Sequence, residues 1–240
     1  MISLDRRNGG PLRIGHRGAA SLARENTLRS FRAAIEIGVD LVEFDVVAAP
    51  GGELVVAHSQ ADIDGETPSL DGALRFFAEE APDVGAHVDL KLTGREREVV
   101  DLLRRHGLER RSFISGTYLG SARAVAASSQ DVRTGITFPR GMLGITDHGP
   151  RASIGRAGLR TARRFTPAVI PLLLNTTRAA AVVLHHALVT PASVHAAHVR
   201  GMPVVAWTVD QLADLARVDA AGVDAVVTND PRIFTSTLPT

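Results

Sequence analysis

The chain has no cysteine among its 240 residues, so disulfide bonds, thiolate metal sites and cysteine nucleophiles are excluded. It has no apolar run near the roughly 18 residues that span a bilayer. Its first residues, MISLDRR, lack the apolar stretch of a signal peptide. We therefore expect a cytoplasmic protein without stable membrane insertion.

An excess of charge of one sign is also missing. The formal net charge is +1, which gives no overall field to attract nucleic acid.

Lysine is nearly absent, since 26 of the 27 basic residues are arginine and Lys91 is the single exception. With a codon bias toward arginine, a surviving lysine reflects either chance or a position where the wide arginine fork does not fit. Hydrophobic residues at 45% and charged residues at 22% indicate a folded domain with a sizeable core.

The pattern that is present is a regular alternation of short β-branched runs with helical spacings. The predicted strands are 12–16, 40–47 with 54–58 as its continuation, 86–92, 112–115, 134–137, 180–185, 203–209 and 224–228. The predicted helices are 26–37, 70–80, 95–105, 119–128, 153–165, 191–200 and 211–221, and 138–152 reads as a long loop. About eight β units separated by helices favour a single (β/α)₈ TIM barrel over an open doubly wound sheet. We expect a flexible lead at 1–11 and one domain at 12–240.

Acidic residues gather near the predicted strand ends, where barrels of this type carry their chemistry. Residues two apart in a strand share a face, so Glu43 and Asp45 project together, as do Asp89 and Lys91. Neighbouring carboxylates are costly to bury, and a bound divalent cation offsets that cost. Glu43, Asp45 and Asp89 therefore predict an all-oxygen site for a hard cation such as Mg²⁺ or Ca²⁺.

Two histidines, His16 and His58, end predicted strands near these carboxylates. The ordinary pKa of histidine lies near neutrality, so one of them can accept a proton while the other donates one. Arg17 and Lys91 offer positive charge to a phosphate, and the Gly18 turn lets the backbone approach it. A metal, basic groups and an acid/base pair together predict a phosphoryl-transfer site.

These motifs, in this order, resemble the glycerophosphodiester phosphodiesterases. The likeness begins with IGHRGAASLARENTLRSFRAAIEIGVDLVEFDV at 14–46 and closes with VVAWTVD at 204–210 and GVDAVVTNDP at 222–231. It spans residues 12–234. The resemblance implies a (β/α)₈ barrel that hydrolyses glycerophosphodiesters to an alcohol and glycerol 3-phosphate with one divalent cation, Mg²⁺, Ca²⁺ or Mn²⁺.

The resemblance also implies a role for each residue of the site. His16 and His58 would be the acid/base pair, with either one as the base. Glu43, Asp45 and Asp89 would bind the metal, Arg17 and Lys91 would contact the phosphate, and Trp207 would line the pocket of a small-molecule phosphodiester. Glu25 and Asn26 are expected to brace the first loop or cap the first helix.

Four departures from the family pattern bear on substrate and metal. Arg24 replaces the proline of the P-E-N-T element, and Ser59 replaces an aspartate after His58. Asp89 replaces a glutamate, which shortens that arm by about 1.5 Å. Only about ten residues, Ser59–Pro68, stand where the family usually carries a long loop covering glycerol.

Two alternatives follow from these departures. One is a lipid or lysophospholipid phosphodiesterase of the same barrel type. The other is a barrel that binds a phosphorylated ligand without cleaving it. The sequence leaves the oligomeric state open.

Overall fold

A ring of parallel strands forms the centre of the computed structural model, which describes residues 1–7, 10–139 and 151–237. The strands are β1 Leu12–Gly15, β2 Leu41–Ala48, β3 Leu54–Val56, β4 Gly85–Leu90, β5 Ser112–Gly116, β6 Arg133–Thr134, β7 Ile136–Phe138, β8 Val182–His185, β9 Val204–Trp207 and β10 Ala225–Thr228. The helices are α1 Leu28–Ile37, α2 Leu70–Glu79, α3 Glu96–Arg105, α4 Ser121–Ser128, α5 Arg151–Thr177, α6 Pro191–His198 and α7 Leu212–Ala220.

The strand order β6-β5-β4-β2-β1-β10-β9-β8-β7 closes the ring at Gly135, which alone separates β6 from β7. The Gly135 N–H donates to the Ile114 carbonyl at 2.8 Å on one side, and the Ile136 N–H donates to the Ala181 carbonyl at 3.1 Å on the other. The two short strands therefore act as one, and the ring has eight positions. The predicted (β/α)₈ barrel is confirmed, and the open sheet is excluded.

The segment around His58 differs from our expectation. Strand β3 is short and pairs antiparallel with β2 as a hairpin, so it adds no position to the ring. The Pro50-Gly51-Gly52 turn reverses the chain, and this reversal makes the two segments antiparallel partners rather than one extended strand. His58 thus reaches the barrel mouth from a loop after the hairpin.

Alternation along the strands divides the barrel interior into two layers. Inward residues near the amino ends of the strands are apolar and form one core cluster that includes Leu12, Ile14 and Phe113. Farther along the same strands the inward positions turn polar, which places the polar layer at the carboxyl end of the ring.

The first residues, which we expected to be flexible, pack against the amino end of the barrel. Leu4 is fully buried in the interior cluster. Arg6 donates to the Val223 carbonyl and to Asp219, both at 2.7 Å. Burial of an apolar side chain in the open end of the ring offsets the entropy of ordering this segment. The domain boundary at residue 12 stays a prediction.

Helix α5 extends past the predicted end at residue 165, through Pro167 and Pro171. A proline inside a helix costs about 3 kcal/mol. Ile170 and Leu174 are 0% and 5% exposed in the core between barrel and helices, and each such burial contributes about 1.5–3 kcal/mol. The two prolines together cost about 6 kcal/mol, and these two burials offset about 3–6 kcal/mol of that cost. Of the loop expected at 138–152, residues 140–150 lie outside the described residues.

Nowhere in the described parts of the chain is a helix both long enough and apolar enough to cross a bilayer.

Candidate active site

A cavity of about 280 Å³ lies at the carboxyl end of the barrel. Seven of the eight site residues predicted from the sequence line it: His16, Arg17, Glu43, His58, Asp89, Lys91 and Trp207. The eighth, Asp45, is fully buried and contacts Lys91 and Arg17. The structure therefore brings all eight together, although they come from five separate segments of the chain.

The three carboxylates form one buried cluster. Glu43 and Asp45 project from alternate positions of β2, and Asp89 lies opposite Asp45 in the register of β4. One oxygen from each lies within 4.8 Å of the others, and the residues are 4%, 0% and 7% exposed. Burial raises the pKa of Glu43 well above its ordinary value, and the charges of Asp45 and Asp89 raise it further. Such a donor set fits a hard divalent cation, which relieves the same repulsion.

Two cationic side chains partly balance this cluster. Lys91 Nζ lies 2.8 Å from Asp45 Oδ1 and 2.5 Å from Asp89 Oδ2. Arg17 Nε lies 2.9 Å from Asp45 Oδ2. Burial favours a raised pKa for Asp45, but the charges of Lys91 and Arg17 hold it well below its usual range. When all three carboxylates are ionised, as metal binding requires, the two cations leave one net negative charge, so a bound phosphodiester anion needs a further cation nearby.

His16 has a defined tautomer, set by two residues to which the sequence assigned no role. Its Nδ1 lies 2.6 Å from Asn229 Oδ1. The Asn229 amide is oriented in turn by Asp210, which accepts from Asn229 Nδ2 at 2.7 Å and from the Asn229 backbone N–H at 2.8 Å. Because an amide oxygen only accepts, Nδ1 carries the proton and Nε2 presents its lone pair. Burial, with the charge of Arg17, lowers the pKa of His16.

His58 has two contacts at the same nitrogen. Its Nδ1 lies 2.9 Å from Arg17 Nη2 and 3.3 Å from Asp45 Oδ2. A guanidinium only donates and a carboxylate only accepts, so the two contacts require opposite states of Nδ1. The shorter distance favours Nδ1 as an acceptor from Arg17. In that state the proton of the neutral ring is on Nε2.

Asp89 is held by a buried chain of hydrogen bonds. Ser115 Oγ donates to Asp89 Oδ1 at 2.6 Å, and His87 Nε2 lies 2.9 Å from Ser115 Oγ. Burial lowers the pKa of His87 to about 4, so the ring is neutral. Because residues two apart in a strand share a face, the sequence alone places His87 on the same face of β4 as Asp89. The contact of Ser115 with Asp89 depends on the β4–β5 register, which the sequence does not reveal.

The first loop braces the cluster from the other side. The Arg17 N–H donates to Glu43 Oε2 at 2.9 Å, and Gly18 follows with a φ of 85° that favours glycine. Asn26 Nδ2 donates to Asp45 Oδ2 at 3.0 Å, and the Asp45 N–H donates to Asn26 Oδ1 at 3.1 Å. Asn26 thus braces the loop as expected, while Thr27 caps α1.

Trp207 forms the opposite wall of the cavity. Its ring meets His185 edge-on, with centroids 5.3 Å apart. The cavity wall beside it includes Val183 and Val227. One half of the cavity is therefore charged and the other largely apolar.

The comparison with known families decides the class of this protein. A model of the glycerophosphoryl diester phosphodiesterase family matches residues 16–80 and 143–233, well over half of the chain. The chain belongs to this family. It is therefore an enzyme of the phosphoric diester hydrolase class. Asp89 and Lys91 fall between the two matched ranges, and it is the fold that places them beside the matched residues.

Individual glycerophosphodiester phosphodiesterases resemble the whole chain. The one from Caldanaerobacter subterraneus subsp. tengcongensis is 25% identical over 253 residues, covering 91% of this chain and 93% of the relative. One from Arabidopsis thaliana is 29% identical and covers 93% of this chain and 72% of its own length.

Solved structures of family members share the fold. The structure of a putative glycerophosphoryl diester phosphodiesterase from Silicibacter pomeroyi has a TM-score of 0.75 at 20% identity, covering 98% of this chain and 95% of that one. An Oleispira antarctica phosphodiesterase, in complex with the product sn-glycerol-3-phosphate, has a TM-score of 0.72 at 19% identity and covers 95% and 96%.

Proposed function

We propose that this protein hydrolyses glycerophosphodiesters to glycerol 3-phosphate and an alcohol in a reaction that depends on one divalent cation. The observation that carries the proposal is the buried cluster of Glu43, Asp45 and Asp89 with both His16 and His58 beside it in one cavity. Family membership and the product complex of the Oleispira antarctica relative support the choice of substrate.

The cation, Mg²⁺, Ca²⁺ or Mn²⁺, is held by the three carboxylates. When bound, it supplies positive charge that stabilises the developing negative charge on the phosphate oxygens. Arg17 and Lys91 line the same cavity and bind the phosphate from the protein side.

The hydrogen bonds assign separate roles to the two histidines. His16 is the general base, because Asn229 holds the proton on Nδ1 and leaves the Nε2 lone pair free to accept one. His58 is the general acid, because Nδ1 accepts from Arg17 and the proton is on Nε2. His16 Nε2 takes a proton from the attacking oxygen, and His58 Nε2 gives one to the leaving alcohol.

The alcohol side of the site is open. The loop after His58 is short, and a second cavity of about 290 Å³ adjoins the first at His58. Arg24 and Asp64 line this second cavity and form an ion pair at 2.6 Å. This space favours, as a second candidate, a lipid or lysophospholipid phosphodiesterase of the same chemistry.

One substrate panel tests these proposals. Purified protein is incubated with glycerophosphocholine or lysophosphatidylcholine, with Mg²⁺, Ca²⁺ or Mn²⁺ added in turn, and glycerol 3-phosphate and choline are measured. We expect glycerophosphocholine to be the better substrate and EDTA to abolish turnover. Faster turnover of lysophosphatidylcholine supports the second candidate. Turnover of neither substrate with any metal, alongside retained binding of glycerol 3-phosphate, indicates a binding protein instead.

A further inference from the structure

Charge is distributed unevenly along the chain. The 62 residues from His148 to Val209 contain seven arginines and neither aspartate nor glutamate, whereas the remaining residues carry 20 basic and 26 acidic side chains. Helices α5 and α6 lie in this range, and α4, which packs beside α5, also has no acidic residue. We call the row formed by α4, α5 and α6 the acid-free wall. Helices α2, α3 and α7 all carry acidic residues.

The outward face of α5 combines apolar and basic side chains. Phe165 and Leu172, two turns apart on that face, are 59% and 66% exposed. Arg160 and Arg164 are exposed on the turns just before and beside Phe165. The opposite face of the helix is buried, as Ile170 shows. This helix therefore has large apolar side chains on its outer face as well as on its inner face, and only the inner face has a partner within the described residues.

The neighbouring elements extend the same surface. Val199 and Arg200, which follow α6 directly, are both exposed, and Val199 is 58% exposed. Leu119, just before α4, is 44% exposed. Four of the seven exposed large apolar side chains in the described chain thus lie on or beside the acid-free wall: Leu119, Phe165, Leu172 and Val199.

We propose that the acid-free wall docks the protein on an anionic membrane surface. Helices that lie in the plane of a membrane present large apolar side chains to the acyl boundary and arginine to acidic headgroups. Both chemistries are present here, and no acidic side chain of α4, α5 or α6 opposes them. A nucleic acid would engage the arginines but would leave Phe165 and Leu172 exposed, so a membrane fits both observations better.

Docking is peripheral. Helix α5 lies with its inner side packed on the barrel, and only its outer face is free to meet lipid headgroups. The inference does not depend on the proposed function, because membrane attachment is measured without substrate.

Vesicle flotation tests the proposal. The full chain is mixed with vesicles of phosphatidylcholine alone or of phosphatidylcholine with phosphatidylglycerol, and bound protein is quantified at low and high salt. We expect binding to the anionic vesicles only, and release by salt. Arg160→Gln with Arg164→Gln should weaken partitioning about 25-fold, at about fivefold per arginine. Phe165→Ser with Leu172→Ser should weaken it at least about tenfold.

Matched controls lie on other faces of the molecule. Arg97→Gln removes an arginine whose side chain is 87% exposed on α3, and Leu212→Ser removes an apolar side chain 62% exposed on α7. Both should bind vesicles like the wild type, and unchanged melting temperatures verify folding of all four variants. Absence of binding to anionic vesicles, equal binding to neutral ones, or full binding by the α5 variants overturns the proposal. A dimer that Phe165→Ser with Leu172→Ser dissociates, without vesicle binding, overturns it in favour of a second copy of the chain.

Discussion

Asn229 Oδ1 accepts a hydrogen bond from His16 Nδ1 at 2.6 Å, and Asp210 fixes the amide that makes this contact. These hydrogen bonds from Asp210 through Asn229 fix the tautomer of His16, the proposed general base. Asn229→Ala should therefore lower kcat by about 10- to 100-fold with little change in KM, because the substrate contacts are untouched. Asp230→Asn is the matched control, since Asp230 pairs with Arg232 instead. A ¹⁵N NMR tautomer measurement should show Nδ1–H for His16 in the wild type. Unchanged kcat in Asn229→Ala contradicts the assignment.

The carboxylate cluster predicts a gain in stability at the expense of activity. Glu43→Gln keeps the shape and removes a carboxyl group whose charged form is costly in this buried site, so the metal-free protein should melt about 2–4 °C higher. The same variant should lose at least about 100-fold in metal-dependent hydrolysis, because one ligand is gone. Calorimetry with and without Mn²⁺ checks both effects. The exposed Glu53→Gln should change neither, and a lower melting point for Glu43→Gln contradicts the repulsion argument.

The hydrogen bond from Ser115 to Asp89 predicts a loss of metal affinity. Ser115→Ala frees the shorter carboxylate arm, so the Kd for Mn²⁺ should rise about tenfold or more. Asp89→Glu lengthens the carboxylate side chain by one methylene. In a protein that carries Asp89→Glu, Ser115→Ala should therefore raise the Kd for Mn²⁺ by a smaller factor. Ser112→Ala is the control, because Ser112 lies buried on the same strand and its hydroxyl has no partner among the described residues. Equal penalties in both backgrounds contradict the role of the shorter arm.

Local patterns in the sequence predict some of these contacts and not others. Alternation within β2 places Glu43 and Asp45 together, and the family likeness points to His16 and His58. The roles of Ser115 and Asp210 cannot be predicted in this way. Ser115 contacts Asp89 on another strand, and Asp210 contacts Asn229 after another strand, so both contacts depend on strand register and on how the loops close.

The two errors in the fold have different causes. The antiparallel hairpin before His58 follows from the chain reversal at Pro50-Gly51-Gly52, a local turn that we expected to join two parts of one strand. The passage of α5 through Pro167 depends on tertiary packing, which offsets the local cost of proline. The eight-unit alternation, in contrast, follows from the local pattern, and it was enough to predict the barrel.

The single lysine predicts a clean spectroscopic probe of the site. Reductive methylation with ¹³C-formaldehyde labels only Lys91 and the chain's α-amino group, and it keeps the charge. Burial opposes the charged form of Lys91, but Asp89 and Asp45 raise its pKa, so the side chain is charged and can bind phosphate. The Lys91 methyl signal should shift when inorganic phosphate and Mg²⁺ are added, while the α-amino signal stays in place. A Lys91 signal that ignores phosphate contradicts its proposed role.

Gly135, where the ring closes, predicts a steric limit at the junction of β6 and β7. A Cβ there would meet Phe113 Cζ at 2.5 Å and Cε2 at 2.9 Å, with Val183 Cγ2 at 3.2 Å. Phe113 and Val183 are packed in the barrel interior, so Gly135→Ala should destabilise the protein by about 1–3 kcal/mol in urea unfolding. Gly158→Ala in α5 has open space around its Cβ and should stabilise by up to about 1 kcal/mol. If Gly135→Ala unfolds at the wild-type midpoint, the packing of Phe113 against this position does not restrict the barrel closure.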